Sequence, residues 1–264
     1  MPVVRVEVEA GQVELAADAL WQAGPSAVSE AWLDDGRVCL TADVADVAEV
    51  GPGWPVQVVD VDADADLDAW RAFARAHRAG RHLVLQPAWL PAEEAGPLDV
   101  VVTLEPGRTF GSGSHPTTRL VASVLEDRVA GGEQVLDVGC GSGVLAVVAG
   151  RLGAARAVAI DIEAEAVVVT RANALANGLA DRVAASTTPV EQVEGHFDLV
   201  LANLGPALLR DLATAIAARV APAGVLVLAG VLDQQVPEVL AAYPGWSVAE
   251  VRSLDGWAAP VLTR

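Results

Sequence analysis

Residues 135–145 read VLDVGCGSGVL, an apolar run that passes into an acidic residue, alternating glycines and a second apolar run. The first run has the length and composition of a buried strand, and the second begins a helical pattern. The glycines between them, Gly139, Gly141 and Gly143, have no Cβ atom, so the backbone can turn sharply and approach a ligand closely. This stretch therefore predicts a strand, a ligand-binding loop and a helix.

The spacing of these glycines bears on which ligand the loop binds. A dinucleotide fingerprint would need its third glycine at position 144, where the chain has Val144. A phosphate-binding P-loop would end in Gly-Lys-Ser/Thr, and the chain contains no lysine. A Gly-x-Gly-x-Gly loop after an acidic residue, here Asp137, is typical of an S-adenosylmethionine site, whose ligand carries no phosphate. A purely structural turn remains an alternative for the loop taken alone.

Two polar residues end later strand-like runs. Asp161 follows AVAI, and a carboxylate at a strand end can accept hydrogen bonds from both hydroxyls of an adenosine ribose. Asn203 ends FDLVLAN, where a carboxamide offers a donor and an acceptor that can orient an incoming amine. The alternative role for Asp161 is to cap the next helix, and the alternative for Asn203 is an ordinary turn.

Apolar strand-like runs alternate with helical patterns from residue 82 to the end of the sequence. This alternation predicts a parallel sheet covered by helices on both faces, with ligands beyond the carboxyl ends of its strands. Residues 1–62 contain several strand-like runs and one helical run, which predict a small α+β domain. An acidic lead into a helical segment predicts a linker helix over residues 63–81, so the second domain comprises residues 82–264.

The composition limits the classes of function. The 264 residues carry a formal net charge of −18, which disfavours DNA or RNA as a direct partner. The charge would attract a basic protein, and the alternative is that it serves solubility alone. The two cysteines, Cys39 and Cys140, predict neither a disulfide framework nor a metal cluster, and no metal site is expected. No apolar run reaches the roughly 18 residues that span a bilayer, and the start does not resemble a secretory signal. We therefore expect a soluble, cytoplasmic protein without a membrane partner.

Four blocks of this sequence resemble one protein family closely. They are EPGRTFGSGSHPTTRL (105–120), VLDVGCGSGVLAVVAGRLGAARAVAIDI (135–162), RANALANG (171–178) and FDLVLANL (197–204). Their order and spacing are similar to those of the ribosomal protein L-eleven methyltransferase family, known as PrmA. The resemblance covers residues 64–264, and the FGSGSHPTT segment is its most specific part.

The resemblance implies an α/β fold, with a Rossmann-like S-adenosylmethionine-dependent methyltransferase domain whose sheet is mostly parallel and seven-stranded. It implies that the small N-terminal α+β domain is ferredoxin-like and recognises the substrate protein. The implied activity is transfer of methyl groups to amines, both lysine side chains and an N-terminal α-amine, of a basic ribosomal protein of the large subunit. We expect the enzyme to be a monomer.

The family's site residues carry over by position. The resemblance implies that the cofactor contacts, or lies at a mouth formed by, seven residues: Phe110, Gly111, Thr118, Gly139, Gly141, Asp161 and Asn203. Asn203 would lie nearest the transferring methyl group and act as the catalytic residue by orienting the amine. After Asn203 the family commonly has Ile-Leu, whereas this chain has Leu204 and Gly205. His115 precedes Pro116, which favours a helix-entry role over that of a general base.

Three other functions stay open from the sequence. The chain could be a methyltransferase of the same fold that acts on another protein or on a small molecule. It could also be an NAD-dependent oxidoreductase, although Val144 speaks against the dinucleotide fingerprint. A non-catalytic S-adenosylmethionine-binding module is the third, and the joint presence of Thr118, Asp161 and Asn203 speaks against it.

Overall fold

A computed structural model describes residues 3–23, 28–33, 36–44, 47, 50, 53–59, 74–90, 95–107 and 109–264. The chain divides into two compact units, residues 1–73 and residues 74–264. Each unit has a sheet and a hydrophobic core of its own. Within the described ranges, no helix is both long enough and apolar enough to cross a membrane.

The N-terminal unit contains a four-stranded antiparallel sheet and helix α1 (Val13–Gln22). Its strands are β1 (Val3–Glu9), β2 (Val28–Trp32), β3 (Arg37–Asp43) and β4 (Val56–Val59). Their spatial order, β2-β3-β1-β4, is the order of a ferredoxin-like β-α-β-β-α-β chain and agrees with the predicted domain. Val4, Val6 and Val8 alternate along β1 and point into the core of this unit, as one face of a strand should.

The predicted linker helix falls largely on residues 60–73, which lie outside the described residues. Its last part is not helical, because His77–Arg78 form strand β5. Strand β5 pairs with β6 (Leu83–Pro87), which pairs in parallel with β7 (Val100–Leu104) to complete a three-stranded sheet. The helix predicted up to residue 81 is therefore wrong at its end, since pairing of His77–Arg78 with the nearby strand β6 outweighs the helical spacing. The functional limits of the domains stay a prediction.

The C-terminal unit is built on an eight-stranded sheet in the order β10-β9-β8-β11-β12-β15-β13, with β14 beside β15. Its strands are β8 (Gln134–Val138), β9 (Arg156–Ile160), β10 (Val183–Ser186), β11 (Phe197–Asn203), β12 (Val220–Ala229), β13 (Val231–Leu232), β14 (Ser247–Leu254) and β15 (Trp257–Thr263). Strands β8 to β12 are parallel, and β13, β14 and β12 are antiparallel to β15. The mostly parallel sheet is confirmed, and the two-residue β13 adds an eighth strand to the predicted seven.

Helices cover both faces of this sheet. They are α2 (Pro116–Arg128), α3 (Val144–Leu152), α4 (Ala164–Ala176), α5 (Pro206–Asp211), α6 (Ala213–Ala218) and α7 (Val236–Leu240). Along strand β11, Leu199 and Leu201 pack into one hydrophobic cluster, while Val200 and Ala202 pack into a second. Successive side chains of a strand point to opposite faces, so a strand buried on both sides must be apolar throughout.

Candidate active site

Three of the predicted site residues follow neighbouring strands at one level of the sheet. Strand β8 lies between β9 and β11, and its last residue, Val138, pairs with Ile160 and with Ala202. The next residue along each of these strands is a predicted one: Gly139, Asp161 and Asn203. Since adjacent strands lie about 4.8 Å apart, the parallel register places these three in one row at the carboxyl edge of the sheet.

The glycine-rich loop (residues 139–143) needs glycine because other segments press against it. Gly141 has a φ of +52°, and a Cβ atom there would overlap the carbonyl group of Phe110. Gly139 has a φ of +73°, and a Cβ atom there would overlap the side chain of Leu204. At Gly141 the left-handed backbone and the fixed carbonyl together exclude a larger residue, whereas at Gly139 the left-handed backbone disfavours one and the Leu204 side chain would have to move.

Every backbone amide of the glycine-rich loop donates a hydrogen bond to the protein itself. At 2.8–3.0 Å, the acceptors are the Ile160 carbonyl for Gly139 and Cys140, the Asp161 carboxylate for Gly141, the Phe110 carbonyl for Ser142 and the Cys140 carbonyl for Gly143. A phosphate-binding loop instead presents such amides to its ligand. This loop is therefore poorly suited to a pyrophosphate and suits a ligand without phosphate.

Asp137 lies at a second position where phosphates commonly bind, the N-terminal end of helix α3, and its carboxylate occupies one amide there. Its Oδ2 accepts the amide hydrogen of Ala146 at 3.1 Å, and its Oδ1 has no hydrogen-bond partner in the described part of the chain. Burial raises the pKa of the Asp137 carboxyl to about 7, and the charge of Asp161 adds to the rise. A positive ligand group nearby would favour the carboxylate form, so Asp137 suits a cationic ligand.

Asp161 is held in place by two backbone amides. Its Oδ2 accepts from Gly141 at 2.9 Å, and its Oδ1 accepts from Glu163 at 3.1 Å. Each carboxylate oxygen can accept a further hydrogen bond, for example from a ribose hydroxyl. Glu163, not Asp161, is the N-cap residue of helix α4, so the alternative capping role does not describe Asp161.

Sequence reasoning missed Ile162, the residue after Asp161. Its side chain is 92% exposed, although it is large and apolar. An exposed apolar side chain beside a carboxylate that can bind a diol suits the flat face of a nucleoside base. The signal in the sequence is an apolar residue placed between Asp161 and Glu163, just beyond the end of strand β9.

The segment that carries Phe110 and Gly111 lies against the glycine-rich loop. Ser142 donates its amide hydrogen to the Phe110 carbonyl at 2.8 Å and its hydroxyl hydrogen to the Gly111 carbonyl at 2.6 Å. The ring of Phe110 is 55% exposed, which fits a residue at the rim of a site. The structure thus brings both predicted residues to the loop, although Gly111 and Ser142 are 31 positions apart in the sequence.

Helix α2 carries Thr118 in its first turn, fully buried. The Thr118 hydroxyl oxygen has no hydrogen-bond partner among the described residues. This is uncommon for a buried polar atom and leaves the hydroxyl available to a ligand.

His115 is the N-cap residue of helix α2, since its Nδ1 accepts the amide hydrogen of Thr117 at 3.3 Å. Burial lowers the pKa of His115 to about 4, so the ring is neutral and its helix-entry role is supported.

Trp257, at the start of β15, is a second residue that sequence reasoning missed. Its ring meets the His115 ring edge-on with centroids 4.9 Å apart, and His115 meets the ring of Phe110 at 5.3 Å. Such edge-to-face pairs stabilise the arrangement of aromatic rings. These ring contacts connect β15, the last strand, to the segment over the glycine-rich loop. No local sequence pattern predicts this connection, because the strand and the segment are far apart in the sequence.

Asn203 ends strand β11 and is half-buried. Its carboxamide makes no hydrogen bond to the described residues. The backbone around it is nevertheless fixed, because the amide of Leu204 donates to the Ala229 carbonyl at 3.1 Å and the Leu204 side chain packs on Gly139. A fixed backbone with a free carboxamide leaves both a donor and an acceptor for a substrate group.

These groups fit S-adenosylmethionine better than a dinucleotide. The ribose hydroxyls of S-adenosylmethionine can donate hydrogen bonds to the Asp161 carboxylate. Its positive charges would be stabilised by the buried Asp137. It has no phosphate, and the glycine-rich loop has no amide to offer one.

Known proteins resemble this chain over most of its length. A family model described as Ribosomal protein L11 methyltransferase (PrmA) matches residues 44–264. The ribosomal protein L11 methyltransferase of Geotalea daltonii is 40% identical over 242 residues, which cover 87% of this chain and 76% of that protein. That of Dechloromonas aromatica is 38% identical over 271 residues, which cover 89% and 90%. A crystal structure of ribosomal protein L11 methylase from Lactobacillus delbrueckii subsp. bulgaricus has a TM-score of 0.67 and 28% identity, covering 72% of this chain and 99% of that chain. The chain therefore belongs to the ribosomal protein L11 methyltransferase (PrmA) family.

Proposed function

We propose that this methyltransferase transfers methyl groups from S-adenosylmethionine to amines of ribosomal protein L11, both lysine side chains and the N-terminal α-amine. The observation that carries the proposal is the row of Gly139, Asp161 and Asn203 beside a loop that has no amide left for a phosphate. The names of the relatives support the choice of substrate. That substrate belongs to the cytoplasm, where the reaction would take place.

Different residues are proposed to bind different parts of the cofactor. S-adenosylmethionine, when bound, supplies a methyl group on a positively charged sulfur. Asp161 would hold the ribose hydroxyls, and the buried Thr118 hydroxyl would find the partner that it lacks. Gly139 and Gly141 would let the ligand approach the backbone closely, and the segment with Phe110 and Gly111 would cover it.

Asn203 is the proposed catalytic residue, and its role is orientation. Its free carboxamide oxygen can accept a hydrogen from the incoming amine, which turns the nitrogen lone pair toward the methyl group. Holding the nucleophile in line at near-attack distance can supply much of the reduction of the barrier. The carboxamide does not take the proton; it fixes the direction of attack.

The attacking amine must be neutral, and the site achieves this by environment. A free lysine amine has a pKa of about 10.4, and an α-amine about 7.7–8. Removal from water and a nearby positive sulfur would both lower the amine pKa, so the proton leaves to solvent before attack. His115 is neutral, but its Nδ1 already accepts from Thr117, which leaves it engaged at the helix entry rather than serving as a base.

We propose that the N-terminal domain, residues 1–62, recognises the substrate protein. It contains twelve acidic and two basic residues, so it carries more than half of the net charge of −18. An acidic surface attracts a basic ribosomal protein and speeds its encounter with the enzyme. The same charge repels the phosphate backbone of free nucleic acid.

A labelling experiment tests the proposal. The full chain is incubated with methyl-labelled S-adenosylmethionine and either purified L11 or a mixture of ribosomal proteins, and the products are mapped by peptide mass spectrometry. We expect label on lysines and on the N-terminal amine of L11. Label on another protein would assign a different substrate to the same chemistry, and label on no protein would refute the proposed activity.

A further inference from the structure

The block RANALANG (171–178) has no part in the mechanism above, yet it places two asparagines on one side of helix α4. Asn173 and Asn177 are four residues apart, so their side chains lie one above the other on the helix. Asn173 is almost fully buried, and a buried carboxamide needs partners for two donors and one acceptor. The partners of this pair lie in the backbone of two other segments.

Both carboxamides bind the edge of strand β7 that faces away from β6, an edge at which the described residues supply no neighbouring strand. The Asn177 Oδ1 accepts from the Thr103 amide at 3.1 Å, and its Nδ2 donates to the Thr103 carbonyl at 2.7 Å. Asn173 makes the same pair of bonds two residues further on, with the amide of Glu105 at 2.8 Å and its carbonyl at 3.1 Å. The two side chains thus replace a neighbouring strand and close this edge.

Asn173 makes one contact that Asn177 does not. Its Nδ2 also donates to the carbonyl of Ser142, inside the glycine-rich loop, at 2.9 Å. One turn earlier on helix α4, the Thr170 hydroxyl donates to the carbonyl of Gly141 at 3.1 Å. Helix α4 therefore binds two consecutive carbonyls of this loop, while the amides of the same two residues bind Asp161 and Phe110.

We infer that Asn173 is a positioning residue that ties the glycine-rich loop to the start of the segment carrying Phe110 and Gly111. Its carboxamide uses both donors and its acceptor to bind Glu105 and Ser142 at once. Without that carboxamide, the glycine-rich loop and the segment carrying Phe110 can shift relative to each other. Such a shift would distort the proposed cofactor site. Asn177 binds the edge of β7 and, through its Nδ2, the Asn173 carbonyl at 2.8 Å, but it makes no bond to the glycine-rich loop, so it affects stability without affecting the loop. The inference rests on the proposed function for its effect on ligand binding.

Matched substitutions separate the two roles. Asn173→Leu and Asn177→Leu have similar volume and remove the same kind of bonds from strand β7. We expect both to lower the melting temperature. Only Asn173→Leu should raise the Kd for S-adenosylhomocysteine, by about tenfold, since it leaves buried backbone groups of the loop without partners. Its KM for S-adenosylmethionine should rise in parallel, with a smaller change in kcat.

Hydrogen exchange gives a readout that does not depend on ligand. The Ser142 amide, bonded to the Phe110 carbonyl, should exchange faster in Asn173→Leu than in the wild type and stay unchanged in Asn177→Leu. If Asn173→Leu does not fold, Asn173→Asp keeps the acceptor for the Glu105 amide and should show the same changes.

The outcomes are distinct. Equal loss of affinity in both variants, or no loss in either, would overturn the inference. If the wild type binds no S-adenosylhomocysteine, the proposed function fails, and the inference is decided by the exchange rate of the Ser142 amide alone. An unchanged rate in the Asn173 variant would then refute it.

Discussion

Asp161 and Asn203 flank Gly139 at the same level of the sheet, but the protein treats the two side chains differently. Both carboxylate oxygens of Asp161 accept backbone amides, so its orientation is set before any ligand arrives. The carboxamide of Asn203 has no partner in the described part of the chain. One side of Gly139 is therefore preorganised, and the other is left open.

The difference matches the two substrates of the proposed reaction. The cofactor has one shape, and a fixed set of acceptors would bind it at low entropic cost. In the proposed reaction the amine would arrive on a long side chain of a protein, so the group that meets it would have to adjust as it enters. We therefore expect substitutions on the Asp161 side to change affinity for the cofactor, and substitutions on the Asn203 side to change turnover.

The largest effect is expected for Asn203→Ala. Loss of the orienting carboxamide should lower kcat by about 100-fold, because misaligned attack alone can cost that much. The Kd for S-adenosylhomocysteine should change little. Single-turnover kinetics and calorimetry on the same sample measure the two quantities, and equal losses in both would remove the contrast with Asp161.

The converse is expected for Asp161→Ala. The Kd for S-adenosylhomocysteine should rise by about tenfold or more, because charged hydrogen bonds to the diol and the bond to the Gly141 amide are lost together. At saturating cofactor, kcat should stay close to that of the wild type. Asp198→Ala is the matched control, since Asp198 also accepts a backbone amide, from Gln134 at 2.8 Å, but at the opposite end of β8. If Asp198→Ala lost affinity for S-adenosylhomocysteine to the same extent, the assignment of Asp161 as a cofactor-binding residue would be refuted.

Gly141→Ala tests how tightly the preorganised side is packed. Gly141 and Gly178 both have positive φ angles, +52° and +71°, but only Gly141 faces a close neighbour, the Phe110 carbonyl. Gly178→Ala should lower the free energy of unfolding by about 1–2 kcal/mol, the usual cost of a left-handed alanine. Gly141→Ala should cost more, because overlap adds to strain. Equal costs in urea unfolding would mean that the segment with Phe110 moves aside freely.

A pH dependence of stability is expected from Asp137. Its pKa is about 7 in the folded protein and 3.8 in the unfolded chain, so the folded state holds the extra proton between these values. The contribution of Asp137 to stability therefore falls as the pH rises from about 4 to about 7. Asp137→Asn keeps an acceptor for the Ala146 amide and carries no charge. Relative to the wild type, its melting temperature should rise by about 5 °C between pH 5 and pH 8, since about 2.6 kcal/mol of stabilisation is lost in the wild type over that range. A constant difference across this range would argue against a buried, proton-binding carboxyl.

Local patterns were sufficient for the framework of the site. Continuous apolar runs predicted the parallel strands, and the glycine spacing and polar strand ends placed Gly139, Asp161 and Asn203 at one edge before any register was known. Parallel strands must be buried on both faces, so their sequences leave little ambiguity. By contrast, the predicted linker helix is contradicted at His77–Arg78, where helical spacing and strand pairing compete and only the partner strand decides.

The sequence by itself determined the fold class of the catalytic unit, the position of the glycine-rich loop and the residues that end its strands, because these follow from periodicity and from the missing Cβ of glycine. The tertiary structure alone decided that every amide of this loop has a partner, that the Asn203 carboxamide has none among the residues the structure describes, and that Asn173 joins Glu105 to Ser142. Hydrogen bonds between segments dozens of residues apart depend on the packing of whole elements. No local window of sequence contains both partners.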